Sequence, residues 1–400
     1  RSNPPVSCIV SDGVMSFTLD AAKELGVPEV IFWTTSACGF LGYSLYDRLR
    51  KQGFTPLEDS RQLTNGYLET VVDWPPSADG IRLKDFPTFL RTTDPDDLMF
   101  EFVTSESTRA QRATAIVLNT FEPLESEVLS ALQAHYTPPV YCIGPLHLMA
   151  TDTALDGLGS NLWKEDRHCI KWLNSRPDNS VVYVNFGSIT IMTGDQMLEF
   201  AWGLADSARS FLWVIRPDLV SGKTAVLPPE FLTATEGRGL MVDWCPQEEV
   251  LAHSAVGGFL THSGWNSTME ALTSGMPVIA FPQWGDQVTD AKYLVDEFKI
   301  GVRMCRGEAE NRVVTREEVR KCLLEATTGE KAAEMKANAA KWKKAATEAF
   351  VEGGSSDRNL QTFVDDVRMK SVEITKKNLA FGLPAAKTEG QRGVDTAVKA

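Results

Sequence analysis

The sequence predicts an α/β protein built on parallel sheets. Short apolar runs alternate with amphipathic stretches along most of the chain, most regularly after residue 162. Six strand-length runs with helical stretches between them imply a parallel sheet covered on both faces. At 400 residues the chain can form large cores without disulfides or metals.

The elements follow in order. Residues 6–11 (VSCIVS) read as a buried strand followed by Asp12-Gly13, and residues 17–25 have helical spacing up to Gly26. Residues 30–33 form a second strand, after which Thr34-Thr35-Ser36 opens a helix. Residues 53–100 hold several prolines and read as long loops with short helices. Strands at 115–119 and 140–143 complete the first half, and aperiodic residues 146–162 read as a linker. Strands are expected at 180–186, 211–215, 239–242, 256–260, 278–281 and 301–304. Helices at 196–207, 248–253, 267–274 and 288–298 separate them. Residues 331–350 form a strong helix stopped by Gly353-Gly354, and 359–367 one more. Residues 370–400 turn polar and basic, a composition expected to be disordered.

The net charge of −13 argues against a nucleic-acid partner, which would need a basic face. Seven cysteines without a C-x-x-C pair suit free thiols in a reducing, cytoplasmic setting. No run approaches the length of a membrane span, and His and Cys do not cluster at metal-ligand spacing.

Four consecutive features assemble a candidate pocket. The strand 239–242 runs into Trp244-Cys245-Pro246-Gln247. An indole at a strand's carboxyl end can stack on a flat base, adding roughly 1 kcal/mol beyond burial, and neighbouring peptide groups can read the base edge. A core Trp is the plainer alternative. The strand 256–260 runs into Thr261-His262-Ser263-Gly264-Trp265-Asn266-Ser267 and a helix. The helix N-terminus offers free N–H groups to a phosphate. Gly264 lets the backbone approach closely, and His262, Asn266 and Ser267 add side-chain donors, so a diphosphate can be held without a metal. The alternative is a capped helix with a satisfied histidine. Glu270, expected on the first turn of that helix, can accept both hydroxyls of a ribose or can be a surface residue favouring the dipole. The strand 278–281 runs into Pro282-Gln283-Trp284-Gly285-Asp286-Gln287. Its Asp-Gln pair suits the hydroxyls of a hexose, while the alternative makes Asp286 a helix cap.

The 44 residues 244–287, WCPQEEVLAHSAVGGFLTHSGWNSTMEALTSGMPVIAFPQWGDQ, resemble the signature box of plant secondary-product UDP-glycosyltransferases. The similarity extends over about residues 4–366. It implies a GT-B type fold of two facing Rossmann-like domains, the N-terminal one incomplete here. The implied bounds are 1–145 for a partial acceptor-binding domain, 146–162 for the linker and 163–345 for the UDP-sugar domain. Helices over 346–367 would pack back on the first domain, ahead of a tail over 368–400. Carried over residue by residue, Trp244 stacks on uracil with Cys245 and Gln247 beside it, and Glu270 holds the ribose. His262, Gly264, Asn266, Ser267 and Ser188 serve the diphosphate, and Trp265, Asp286, Gln287 and Thr34 the sugar. A final Gln, here Gln287, goes with UDP-glucose. UDP-glucose is then the co-substrate, with no separate cofactor and no metal.

Inverting glycosyl transfer needs a base on the acceptor hydroxyl and stabilisation of the departing UDP. In the family the base is a histidine after the first N-domain strand, oriented by an aspartate that Asp12 matches. Asp12 alone reads more readily as an ordinary turn residue. The histidine belongs well upstream of Asp12, where this chain has eleven residues, and none of the histidines at 135, 147, 168, 253 and 262 stands in that setting. The chain as it stands is therefore expected to have little transferase activity. The alternative function is a catalytically inactive, truncated sugar-nucleotide-binding pseudoenzyme. A nicotinamide oxidoreductase, suggested by fold type alone, is disfavoured because no G-x-G-x-x-G occurs. Gly222-Lys223-Thr224 reads as a surface turn rather than a phosphate loop. Residues 65–74 and 81–97 resemble the subgroup acting on cyanohydrins, terpenoid alcohols, iridoid aglycones and some hormones, so the acceptor is expected to be a small hydrophobic metabolite.

Overall fold

The computed structural model describes residues 6–75, 80–151, 163–222, 225–304 and 312–380. The first sheet orders β1 (Ile9–Asp12), β2 (Glu29–Trp33), β3 (Ala115–Leu118) and β4 (Val140–Cys142), all parallel. Its helices are α1 (Thr18–Leu25), α2 (Ala37–Ser44), α3 (Tyr46–Lys51), α4 (Leu98–Arg109) and α5 (Glu122–His135). The central strand β3, Ala-Ile-Val-Leu, is buried throughout, as a doubly covered parallel strand requires. β1 is an edge strand, and its Val10 is 61% exposed.

Helix α2 positions the site from this half. Seven of its eight residues are buried, so it has no polar face. Ser36 caps it by accepting from the Gly39 amide at 2.9 Å. Helix α4 gives little helical signal in sequence because polar Thr104, Glu106 and Ser107 lie on its buried side. The Glu106 carboxylate there accepts from the Ser16 amide and hydroxyl at 2.8 and 2.7 Å.

After α6 (His168–Leu173) the second sheet begins with β5 (Val181–Asn185). Helix α7 (Gly194–Asp206), β6 (Ser210–Val214), α8 (Pro229–Ala234) and β7 (Gly239–Val242) follow. Next come α9 (Gln247–Ala252), β8 (Val256–Thr261), α10 (Trp265–Ser274), β9 (Val278–Ala280), α11 (Gln287–Lys292) and β10 (Gly301–Arg303). The six strands are parallel in the order β10-β9-β8-β5-β6-β7. Helices α12 (Arg316–Thr327), α13 (Gly329–Phe350) and α14 (Ser355–Ala380) close the described chain.

Three differences from the sequence expectation bear on the site and the C-terminal helices. Helix α10 starts at Trp265 because Gly264 is its N-cap, which moves Glu270 from the first turn to the second. Helix α13 runs unbroken through residue 345, where a domain bound was expected. Helix α14 continues to Ala380, past the expected start of a disordered tail at 368, since the run to 380 contains neither glycine nor proline. Residues 381–400 lie outside the described residues, as do 152–162 of the expected linker and Lys223-Thr224. Residues 146–151 of that linker form a 3-10 helix.

Helix α14 docks on the first sheet. Ser356 Oγ donates to the Gly144 carbonyl, Asn359 to the Cys142 carbonyl at 3.1 Å, and Tyr141 to Asp366. Among the described residues no helix is long and apolar enough to cross a membrane.

Candidate functional site

From the centre of the second sheet, β5 leads to β6 and β7 on one side, while β8 leads to β9 and β10 on the other. The crevice beyond the carboxyl ends of β5 and β8 is therefore the topological switch point, where open α/β sheets bind ligands. His262 follows β8, and Gly187-Ser188 follow β5. The imidazole is wedged between two glycines. A Cβ on Gly187 would lie 2.5 Å from the ring, and one on Gly264 would strike its Nε2. Burial, then the nearby Arg216 charge, lowers the His262 pKa to about 4. The ring is neutral near pH 7 and acts as a hydrogen-bonding group rather than a cation.

Arg216, at the end of β6, is itself 2% exposed. It donates to the carbonyls of Gly187 and, at 2.8 Å, Thr190, and to the Asp218 carboxylate at 3.0 Å. These bonds fix the loop that presents the exposed Ser188. Opposite, helix α10 has glycine at its N-cap, so no side chain caps its first-turn N–H groups. Asn266 is exposed on that turn, and Ser267 is buried.

Gln247 ties the crevice together. Its Oε1 accepts from Tyr183 OH at 2.9 Å and Asn185 Nδ2 at 2.6 Å. Its Nε2 donates to Ser267 Oγ at 3.0 Å and Glu270 Oε2 at 2.5 Å. Glu270 is thus neither a free surface group nor a first-turn dipole partner. Burial raises its pKa to about 7 despite the Gln247 bond. Trp244 is 9% exposed, and its indole N–H has no hydrogen-bond partner among the described residues. Its ring lies against Trp163, with centroids 6.4 Å apart and planes at 30°.

The three strand ends that are successive in sequence are not all neighbours in the sheet. β7 lies at the far edge, and the segment after it returns across the ends of β6 and β5, so Gln247 reaches β5 and α10. Two side chains turn away from the crevice. The Cys245 thiol is buried 3.3 Å from Tyr183 OH. The Trp265 indole is buried, and its N–H donates to the Asn119 carbonyl of the first half at 2.8 Å.

The loop after β9 meets the first half. Gly285 donates to Thr88 Oγ1 at 2.8 Å, and the Thr88 amide returns a bond to the Gly285 carbonyl at 3.1 Å. Gln287 Oε1 accepts from the Gln283 and Trp284 amides at 2.9 and 3.3 Å, shaping that loop. Asp286 occupies the N-cap position of α11 but makes no side-chain cap. Its carboxylate accepts from Tyr43 OH at 3.4 Å. Thr34 is exposed at the end of β2. Asp12, half-buried at the end of β1, accepts from the Val14 amide at 3.0 Å in the manner of a turn residue.

The other imidazoles are placed elsewhere. His147 bonds Thr273 Oγ1 at 2.8 Å, His253 bonds Asn174 Oδ1 at 3.1 Å, His135 packs edge-on against Tyr136, and His168 opens α6. Among the described residues no three His, Cys, Asp or Glu side chains group as metal ligands. Sequence reasoning missed Tyr183, Asn185 and Arg216, although a charged residue directly after an apolar strand was a visible signal for Arg216.

The chain matches the family model for UDP-glucoronosyl and UDP-glucosyl transferase over residues 95–330. It is 56% identical over 365 residues to a 7-deoxyloganetin glucosyltransferase of Gardenia jasminoides, covering 90% of this chain and 74% of that one. It is 50% identical over 370 residues to an (R)-mandelonitrile beta-glucosyltransferase of Prunus dulcis, covering 91% and 75%. Its structure resembles Phytolacca americana UGT2 complexed with UDP-2fluoro-glucose and pterostilbene, with a TM-score of 0.75 at 28% identity. That match covers 90% of this chain and 76% of that one. The two parallel sheets are accordingly those of a GT-B fold. By these matches and by its α/β architecture, the chain belongs to the UDP-glucoronosyl and UDP-glucosyl transferase family, a family of glycosyltransferases.

Proposed function

We propose that the chain takes UDP-glucose and passes the glucose, with inversion, to a hydroxyl of a small hydrophobic plant metabolite. The acceptor class follows the relatives, one named for an iridoid and one for a cyanohydrin; terpenoids and phenolics belong to the same chemical range. What supports the donor is the Gln247 network, which ties the Glu270 carboxylate and Ser267 of α10, a helix with a bare N-terminus, to the end of β5, while the neutral His262 imidazole sits between Gly187 and Gly264. Trp244 stacks on uracil and Glu270 accepts the ribose hydroxyls. His262, Ser188, Asn266, Ser267 and the Gly264–Ser267 amides take the diphosphate. Asp286, Gln287 and Thr34 face the sugar. Backbone N–H groups and the α10 dipole offset the diphosphate charge, so no divalent ion is called on. The free thiols Cys8, Cys38, Cys142, Cys169, Cys245 and Cys322 fit a cytoplasmic setting.

A second reading is a sugar-nucleotide-binding protein without turnover. It is favoured by the Asp12 carboxylate, whose hydrogen-bond donor among the described residues is an amide and not an imidazole. Calorimetric titration with UDP and UDP-glucose in EDTA tests both readings. Saturable one-to-one binding is expected, and no binding would sink both. Glucose transfer to a phenol or alcohol, followed by product chromatography, then separates enzyme from binder.

A further inference from the structure

Behind Asp286 lies a carboxyl that the proposed function does not use. Asp290, one helical turn further along α11, is entirely buried. Its Oδ1 accepts from Ser36 Oγ at 2.5 Å, and the Cys38 thiol lies 3.8 Å from the same oxygen. Its Oδ2 is buried with no hydrogen-bond partner among the described residues. An ionised carboxylate would leave that oxygen unpaired in a low-dielectric setting, which disfavours the charged form. The half-buried Asp286 carboxyl, one helical turn back along the chain, interacts directly with the Asp290 carboxyl. Two carboxyls so placed cannot both ionise cheaply and share a proton.

The two halves of the molecule meet at this pair. Asp286 and Asp290 come from the second sheet's α11, while Ser36, Cys38 and Tyr43 come from the first half around α2. A Cβ on Gly39 would lie 2.8 Å from both Asp286 Cβ and Ser36 Oγ, so α2 fits against Asp286 only through that glycine. The titratable groups facing the pair are Cys38 and Tyr43 of α2, Tyr46 of α3 and Glu125 of α5. Glu125 accepts from the Ala37 and Cys38 amides at 3.2 and 2.8 Å.

We propose that Asp290 is a positioning residue for sugar recognition: its Oδ2 keeps a proton, donates it to the Asp286 carboxylate, and so holds that carboxylate aimed at the donor sugar. The proposal rests on the reading that Asp286 touches the sugar. Burial, followed by the neighbouring Asp286 charge, drives the Asp290 pKa well up, and burial lifts that of Asp286 to about 6. The Asp286 carboxylate therefore forms as pH rises through about 6. At higher pH, loss of the shared proton sets two negative carboxylates against each other.

The test compares UDP-glucose with UDP by calorimetry on the full chain between pH 5 and pH 9. UDP lacks the sugar, so the affinity ratio isolates the sugar contact and cancels titration elsewhere. The ratio is expected to rise through about pH 6 and fall on the alkaline side. Asp290→Asn retains a neutral donor. It should keep the acid limb and abolish the alkaline fall. Asp290→Ala should lower the ratio about tenfold in the plateau above about pH 6 and less on either side of it, with UDP affinity within about twofold of the parent, as for one lost positioned hydrogen bond. An alkaline fall that persists in Asp290→Asn, or equal ratios in the two variants, overturns the proposal. Asp286→Ala serves as the separate control. If it leaves the ratio at the parent value, the sugar contact of Asp286 is itself wrong, and the proposal falls with it.

Discussion

Two carboxylates, Glu270 on the second turn of α10 and Asp12 at the end of β1, show how differently the halves are prepared. Glu270 sits in a closed network with Gln247, Ser267, Asn185 and Tyr183, and most polar atoms there are paired before any ligand arrives. Asp12 sits at the end of an exposed edge strand and holds one amide bond. The first region is preorganised, so its binding loses little ordering entropy. The second is locally a turn, and among the described residues its carboxylate is held by the Val14 amide. The proposed donor site thus rests on the second sheet, with the first half supplying backing through Asn119, Thr88 and Ser36.

Removing each carboxylate in turn probes that contrast most strongly. Glu270→Ala should weaken UDP binding on the order of a hundredfold, since a buried charged acceptor contributes about 1.5–3 kcal/mol. Asp12→Ala should leave UDP binding within about twofold, the range of a surface change. Calorimetric titration of both variants checks this, and equal losses would erase the distinction between the halves.

Much of the donor side was legible in sequence, because strand ends punctuated by Trp, His-Ser-Gly and Gly-Asp-Gln mark where a parallel sheet exposes its loops. What sequence could not supply was the order of strands. Reading 239–287 as neighbouring loops missed that β5 inserts between β8 and β6, and with it the roles of Asn185 and Tyr183. Trp265 was legible as an aromatic at the crevice, but not that its indole faces Asn119, because that depends on how the halves pack. Asp290 is invisible as a special residue until its burial against Ser36 is seen.

The His262 slot offers a sharper and smaller perturbation. Gly264→Ala places a methyl group against Nε2, so ring or backbone must shift. Overpacking of this kind costs about 1–3 kcal/mol, and UDP affinity should fall about tenfold to thirtyfold. Gly194→Ala is the matched control, since its Cβ would meet nothing nearer than a Val220 methyl at 3.9 Å. Its melting temperature and UDP affinity should stay at the parent values. If both variants behave alike, the imidazole is not gripped by its glycines.

The gentlest probe is pH, which shifts the Glu270 charge without changing a single atom of the core. Burial raises its pKa from an ordinary 4.5 to about 7, and the Glu248 charge adds to the effect. In the proposed donor site, ribose hydroxyls donate to the ionised form. UDP affinity should therefore rise about tenfold between pH 6 and pH 8, following the ionised fraction. Folding stability runs the other way. The folded carboxyl binds its proton more tightly than the unfolded one, so this contribution is full below about 4.5 and is lost as pH rises through about 7. The ligand-free protein should thus melt at a lower temperature across the same window in which UDP binds better. Glu270→Gln should flatten both trends together. Flattening of only one would mean that binding and stability draw on different groups, and that the crevice is less closed than its hydrogen bonds indicate.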